Sequence, residues 1–144
     1  MKILLSRFVS LLSITLCLCS CQNRISIICS HFGINLQRTH YIIEEKTDKW
    51  YPNGDGELFV RISFPTAQDK ELNYILNQMK IAGALHMPML SQHKKLMSGR
   101  GVNYVNNLDM GLYLIDVDNS DSRNYSLIIY NEMEKELVIQ AIVY

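Results

Sequence analysis

A turn between two β-type segments constrains the fold of this chain more than any other feature. Residues 58–64, LFVRISF, alternate large apolar side chains with a mixed set at a period of two, which is typical of a half-buried strand. Residues 53–56, Asn-Gly-Asp-Gly, precede them and contain two dipeptides that tolerate the positive φ of hairpin turns. Residues 41–44 also alternate and lie before the turn. The sequence therefore predicts a β-hairpin here.

One helix is predicted over residues 67–82. Thr66 can cap its start, Asp69 follows three residues later, and Gly83 can end it. A helix of this length is about 24 Å long, enough to cover one face of a small sheet. The apolar residues at helical spacing are Leu72, Ile75, Leu76, Met79 and Ala82.

The C-terminal third is rich in strand-forming residues. Segments 112–117, 125–130 and 137–144 are apolar and are separated by polar stretches, which predicts a three-stranded antiparallel meander. Residues 84–107 are mixed, and we interpret them as irregular with a strand near 102–105. Because both faces of the C-terminal strands carry large groups, we expect one covered face and one aromatic surface. The predicted fold class is α+β: a single, mainly antiparallel sheet of N-terminal hairpin and C-terminal meander, covered by one main helix.

The first 21 residues combine basic side chains, an apolar run and a short cysteine motif. Lys2 and Arg7 precede the apolar run over 8–18, and residues 18–21 read Leu-Cys-Ser-Cys. This pattern resembles a bacterial lipoprotein signal, and the resemblance implies that Cys21 is lipidated, that a peptidase cuts before it, and that its new amine is often acylated. Cys19 departs from the usual Ala, Ser or Thr. The alternative, an uncleaved membrane helix, needs about 20 apolar residues, more than this run provides.

This resemblance divides the chain into a signal peptide at 1–20, a lipidated N-terminus and tether at 21–38, and one α+β domain at 39–144. Residues 22–30 would dock on the domain or form an early strand. Loss of Lys2 and Arg7 turns a formally neutral chain into one of net charge −2, so we predict no nucleic-acid partner. The resemblance also implies attachment to the cell envelope. Gln22, in place of the Asp of inner-membrane lipoproteins, favours the outer membrane facing the periplasm.

Cys29 would be the free cysteine of the processed protein. It lies in an apolar run, so we interpret it as a small buried hydrophobe. The alternative makes it a nucleophile with His31 as base, but the sequence offers no third group to orient that base.

Three motifs suggest chemistry. Soft side chains suit Cu(I) in the first motif, which comprises His86, Met87, Met89 and His93, with Met97 nearby. The alternative is that the methionines fill gaps beneath the helix.

Residues 116–121 begin like a calcium loop but lack its Gly and its bidentate Glu, so we interpret them as a hairpin loop. Residues 98–101, Ser-Gly-Arg-Gly, lack the P-loop ending and read as a turn. We therefore predict no metal site and no cofactor.

The segment Trp50–Tyr51 beside the turn is either packed on the sheet or a contact surface. Phe32-Gly33-Ile34, Trp50 and the turn at 54–57 resemble small exported or lipid-anchored proteins of unknown function from gut bacteria, some suspected of immunity to toxins. The resemblance covers residues 32–90 and implies no established activity.

We predict a non-enzymatic, membrane-anchored protein-binding module, since no nucleophile, base and orienting group occur together. Its partner is an unknown protein. The alternatives are an envelope structural or assembly lipoprotein and, third, an envelope enzyme or copper protein. The candidate partner contacts are Trp50, Tyr51, Asp55, Asp118 and Asp121.

Overall fold

The computed structural model describes residues 23–64, 69–97, 100–106 and 108–144. They form one six-stranded antiparallel sheet with the strand order β1-β2-β6-β5-β4-β3 and helices on both faces. The α+β prediction is confirmed. In chain order the elements are α1 (Asn23–His31), β1 (Ile42–Trp50), β2 (Gly56–Ser63), α2 (Asp69–Ile81), β3 (Leu85–His86), α3 (Ser91–Leu96), α4 (Arg100–Asn106), β4 (Gly111–Val117), β5 (Tyr125–Asn131) and β6 (Glu136–Val143).

The predicted hairpin is formed by β1 and β2. Trp50 pairs with Gly56 at the end of the ladder, and the Tyr51 N–H donates to the Asp55 carbonyl oxygen at 2.8 Å. Gly54 adopts φ +96°, a conformation that costs glycine little and other residues more. The Asn-Gly-Asp-Gly motif therefore makes the turn that the sequence predicts.

The predicted meander is formed by β4, β5 and β6, which pair antiparallel in that order. Strand β6 also pairs with β2 along its whole length, from Gly56 opposite Val143 to Ser63 opposite Glu136. The last strand thus lies at the centre of the sheet and joins the hairpin to the meander.

Helix α2 covers the first face, the face of the sheet that carries Leu58, Val60 and Ile62. Its described bounds confirm the predicted helix, while Thr66, the predicted cap, lies outside the described residues. At the other end, Gly83 adopts φ +84°, and the Ala84 N–H donates to the Met79 carbonyl oxygen at 2.9 Å. Such a glycine with a backward hydrogen bond is the common way to end a helix.

Helix α1 also packs on the first face, so the early-strand alternative for residues 22–30 is wrong. Ile25, Ile28 and Cys29 lie at helical spacing and are buried with the α2 side chains. The docking alternative fits this arrangement, and the folded part of the chain includes residues that we assigned to the tether. The lipid anchor itself involves Cys21, which lies outside the described residues, and it stays a prediction.

The second face is covered too, which corrects two predictions. The segment near 102–105 is helix α4, not a strand, and its Val105 side chain is only 1% exposed. A short apolar run cannot distinguish helix from strand by period alone. The expected aromatic surface is absent from the described sheet because Phe59, Tyr113 and Tyr125 are buried under this layer.

The methionines also lie on the second face, not beneath α2 as the sequence suggested. Met87, Met89 and Met97 are buried against side chains of β4, β5 and β6, including Tyr113 and Val138. Flexible thioethers fit the irregular gap between short helices and a sheet. No helix in the described part of the chain has the length and apolarity that crossing a bilayer requires.

Candidate functional site

Two loops that the sequence marked as contact candidates meet at one end of the sheet. The β1–β2 turn carries Tyr51 and Asp55, and the β4–β5 loop carries Asp118 and Arg123. Because β6 runs between their strands and ends on the same side, Tyr144 lies between the two loops. We call these five residues the loop-end surface.

Two shallow hollows belong to this surface. One, of about 340 Å³, is lined by the turn and by Tyr144. The other, of about 430 Å³, is lined by the β4–β5 loop, and both share Ile142 and Val143 of β6. The surface is therefore gently concave, a shape that fits a protein side chain or loop better than an enclosed small molecule.

The β4–β5 loop is held in one shape by its own carboxylates. Asp121 accepts hydrogen bonds from the Arg123 guanidinium, at 2.6 Å to the nearest nitrogen, and these bonds lower the pKa of Asp121 to about 2. Asp118 accepts from the Ser120 N–H and hydroxyl, both at 2.7 Å, which lowers the pKa of Asp118 as well. The predicted hairpin loop is confirmed, since it joins paired strands β4 and β5.

Tyr144 is tied to this loop. Its N–H donates to the Asn124 side-chain oxygen at 2.7 Å, and the Arg123 guanidinium lies 5.3 Å from the centre of its ring. A cation over a ring face is attracted by the ring quadrupole. Tyr144 was missed by the sequence reasoning, because no local pattern shows that β6 ends beside the 118–124 loop.

The aromatic side chains of the turn differ in exposure. Tyr51 is 64% exposed and Tyr144 is 56% exposed. Trp50 is half-buried on the first face, where the Arg24 guanidinium lies 4.6 Å from its ring centre. A side-chain carbon on Gly56 would come within 2.4 Å of the Trp50 ring, so only glycine leaves room for it. The structure thus places Tyr51 in solvent and packs Trp50 on the sheet.

The Cu(I) candidates are divided between core and surface. Met87 and Met89 are buried in the second-face layer, and His86 is exposed. The His93 Nδ1 lies 3.0 Å from the Tyr113 hydroxyl. Within residues 23–64, 69–97, 100–106 and 108–144, no three His, Cys, Asp or Glu side chains gather where they could hold a metal. Residues 98 and 99 of the Ser-Gly-Arg-Gly motif are outside the described ranges, whereas Arg100 and Gly101 begin helix α4, so the interpretation of these two residues as a turn is wrong.

A side-chain hydrogen bond that the sequence did not indicate joins α1 to β4. The His31 Nε2 lies 2.7 Å from an Asp116 carboxylate oxygen, and both side chains are more than half exposed. They line a hollow of about 470 Å³ beside the edge of β4, whose lining contains no Ser, Thr or Cys. The partners are 85 residues apart, so no local motif could have revealed them.

Cys29 is a core residue, as one of the two interpretations proposed. It is fully buried, and burial raises the pKa of its thiol to about 12. His31, two residues later on the helix, faces Asp116 instead. A thiol with a raised pKa and no solvent access is unreactive.

We expect Cys29 in the folded chain to resist iodoacetamide at pH 8 and to react after unfolding in urea. Peptide mapping by mass spectrometry would follow Cys29 separately from the other cysteines. The pKa of the Cys29 thiol is higher in the folded state than in the unfolded state. The free energy of unfolding therefore falls as the pH rises from about 9 towards 12. Rapid alkylation of Cys29 without urea would contradict its burial.

Comparison with known proteins found no match to this chain among family models, curated proteins or solved structures.

Proposed function

We propose that this protein is a lipid-anchored, non-enzymatic binding module of the bacterial cell envelope, whose loop-end surface holds a partner protein. The observation that carries the proposal is the meeting of two exposed tyrosines and two fixed loops at one end of the sheet. Tyrosine is enriched among the residues that dominate binding energy at protein interfaces. Loops already held by hydrogen bonds lose less entropy when a partner binds.

The charge of the surface indicates what the partner carries. Four acidic side chains line the two hollows against one basic side chain, Lys49; the acids are Asp55, Glu57, Asp116 and Asp118. The charge of Arg123 is paired with Asp121. An acidic rim around exposed tyrosines fits a partner with basic side chains around apolar sockets. An immunity-like role, in which this surface blocks the active face of a basic toxin, agrees with that complementarity.

The electrostatics favour binding over catalysis. A general acid or base works best with a pKa near the working pH, whereas hydrogen bonds move the pKa values of Asp118 and Asp121 further below it. These carboxylates therefore remain charged, which suits recognition of a cationic partner.

The membrane part of the proposal rests on the N-terminal signal. It is tested by expressing the full chain with radiolabelled palmitate and separating the membranes. We expect wild type and Cys19→Ser to carry label in the membrane fraction and Cys21→Ser to carry none. Label retained in Cys21→Ser would remove the anchor from the proposal.

The binding part is tested by site-specific photocross-linking in the native host. A benzophenone amino acid is placed in the full chain at Tyr51, at Tyr144, or at Tyr74 of α2, which is 37% exposed and serves as the matched control. We expect Tyr51 and Tyr144 to link to the same protein and Tyr74 to link to none. Ala at both tyrosines should then weaken that complex by about 30-fold or more, as for two interface anchors. Equal cross-linking at all three positions would contradict a defined surface.

A further inference from the structure

Helix α1 lies across the first face of the sheet, from β1 to β4. Its Arg24 guanidinium bonds to the Asp48 carboxylate on β1, and its His31 imidazole bonds to the Asp116 carboxylate on β4. The helix rises about 10 Å between these two residues, and their long side chains bridge the remainder of a row that is about 19 Å long. That row of paired residues on the first face is Asp48, Leu58, Ala141, Ser126 and Asp116.

The row lies close to the end of the sheet that carries the loop-end surface. Asp48 precedes Trp50, the last residue of β1, by two positions, so the row is about 7 Å from the end of the ladder. The Arg24 guanidinium also lies 4.6 Å from the centre of the Trp50 ring. The start of α1 is therefore fixed beside the β1–β2 turn, at the corner of the domain that carries Trp50 and Tyr51.

Helix α1 is a part of the folded domain. Ile25, Ile28 and Cys29 are buried in the core of the first face. Undocking the helix would expose all three side chains, together with the part of the sheet that they cover, and the removal of such apolar surface from water is the main force that holds a fold together. The helix therefore keeps its place at this corner in the native state.

The proposed lipid attachment point is separated from this helix by a very short piece of chain. The lipid is assigned to Cys21, and α1 begins at Asn23. Two residues cannot span more than about 7 Å, whatever conformation they adopt. The Arg24 contact then brings Cys21 within roughly 20 Å of the Trp50 ring. A spacing this short holds the start of α1 at the level of the lipid headgroups.

We infer that the loop-end surface works at the level of the lipid headgroups, and that the partner it fits is a protein of the same membrane. The inference rests on the proposed function, because it needs both the lipid at Cys21 and a partner at this surface. The corner with Trp50 and Tyr51 is the part of the domain nearest to the bilayer. Met133, in the β5–β6 turn, lies at the opposite end of the sheet.

The size of a protein interface explains why the partner belongs to the membrane. An interface of standard size buries about 800 Å² on each partner, which is a patch about 30 Å across. A patch of that size around Tyr51 extends into the headgroup layer, because the lipid is attached so close to this corner. The partner must therefore present part of its own contact region at headgroup level, as a protein embedded in or bound to the same membrane does.

The position of the corner is measured by the fluorescence of Trp50, the single tryptophan of the chain. The lipidated chain is purified in mild detergent and reconstituted into phosphatidylcholine vesicles, with or without a lipid that carries a nitroxide quencher on its headgroup. We expect the nitroxide lipid to remove about half or more of the Trp50 emission, because the two-residue spacing holds this ring near the headgroups.

Two variants serve as matched controls for the quenching. The first inserts ten Gly and Ser residues between Gln22 and Asn23, which adds a reach of about 17 Å and leaves the sequence of the domain unchanged. The second is Trp50→Phe with Met133→Trp, which moves the probe about 20 Å to an exposed site at the opposite end of the sheet. We expect both variants to lose most of the quenching. If the second does not fold, the first carries the comparison, because it retains Trp50.

The class of partner is tested with the protein that the benzophenone at Tyr51 captures. That protein is located by fractionation of host cells that make only the Cys21→Ser chain, which carries no lipid and so cannot hold its partner at the membrane. We expect the partner in the membrane fraction.

Three results would overturn the inference while the proposed function stands: a soluble partner, a lipidated chain whose Trp50 emission is not quenched, or equal quenching in the variant with the inserted spacer. Palmitate label on Cys21→Ser, or no cross-link from either Tyr51 or Tyr144, would instead contradict the proposed function, and the inference with it.

Discussion

Replacing Gly111 by Ala is expected to lower the free energy of unfolding by more than about 3 kcal/mol, because it combines a strained φ with a backbone clash. Gly111 begins β4 with φ +143°, and an added side-chain carbon would lie 1.9 Å from the Tyr130 carbonyl oxygen on β5. Backbone atoms cannot rotate away as a side chain can. The Gly111 carbonyl also accepts from the Met87 N–H at 3.0 Å, so a shift would disturb the connection to β3.

Urea unfolding of the full chain, followed by circular dichroism, measures this effect. Gly54→Ala is the matched control, since Gly54 also has a positive φ but has no atom within 4 Å of the added carbon. Gly54→Ala should lower the free energy of unfolding by only about 1 kcal/mol, because alanine is disfavoured at this positive φ. Equal losses for the two variants would contradict the close contact at Gly111.

The second large effect concerns the two faces of the sheet. Ile128 and Ile129 are adjacent in β5, both are fully buried, and they point to opposite faces. If both faces are covered, Ile128→Ala and Ile129→Ala should each destabilise the chain by about 2–5 kcal/mol, the usual cost of emptying a buried isoleucine site.

Ile81→Ala is the matched control, because Ile81 is 87% exposed at the end of α2. It should change stability by less than about 0.5 kcal/mol, as surface substitutions do. A small loss for Ile129→Ala beside a large loss for Ile128→Ala would mean that the second-face layer contributes little. The three variants together therefore test the covering of each face separately.

Local signals were sufficient for most strands and for α2. Each of these signals acts over a few residues, and each element formed as predicted. They are the turn at 53–56, the alternation in 58–64 and the helical spacing of Leu72, Ile75 and Met79. Helices α1 and α4 were missed because they have nine and seven residues, too few for a clear period. Their helical form is decided by docking onto the sheet.

The loop-end surface was only partly predictable. Asp55 and Asp118 are turn-forming residues and Tyr51 stands beside a turn motif, so the sequence could identify all three as candidates. Their proximity to each other and to Tyr144 depends on strand order, and the sequence leaves that order open. The packing of Trp50 under Arg24 likewise needs α1 to lie across the sheet.

The central position of β6 has a consequence for how the chain reaches its native state. During synthesis, β1–β2 and β4–β5 can form as separate hairpins, but neither can join the other until residues 136–143 are available. Contacts such as Leu58 with Ala141 span more than half of the chain, and such distant pairings slow folding. A chain of this topology therefore keeps both hairpins without their shared partner strand until its last strand has left the ribosome.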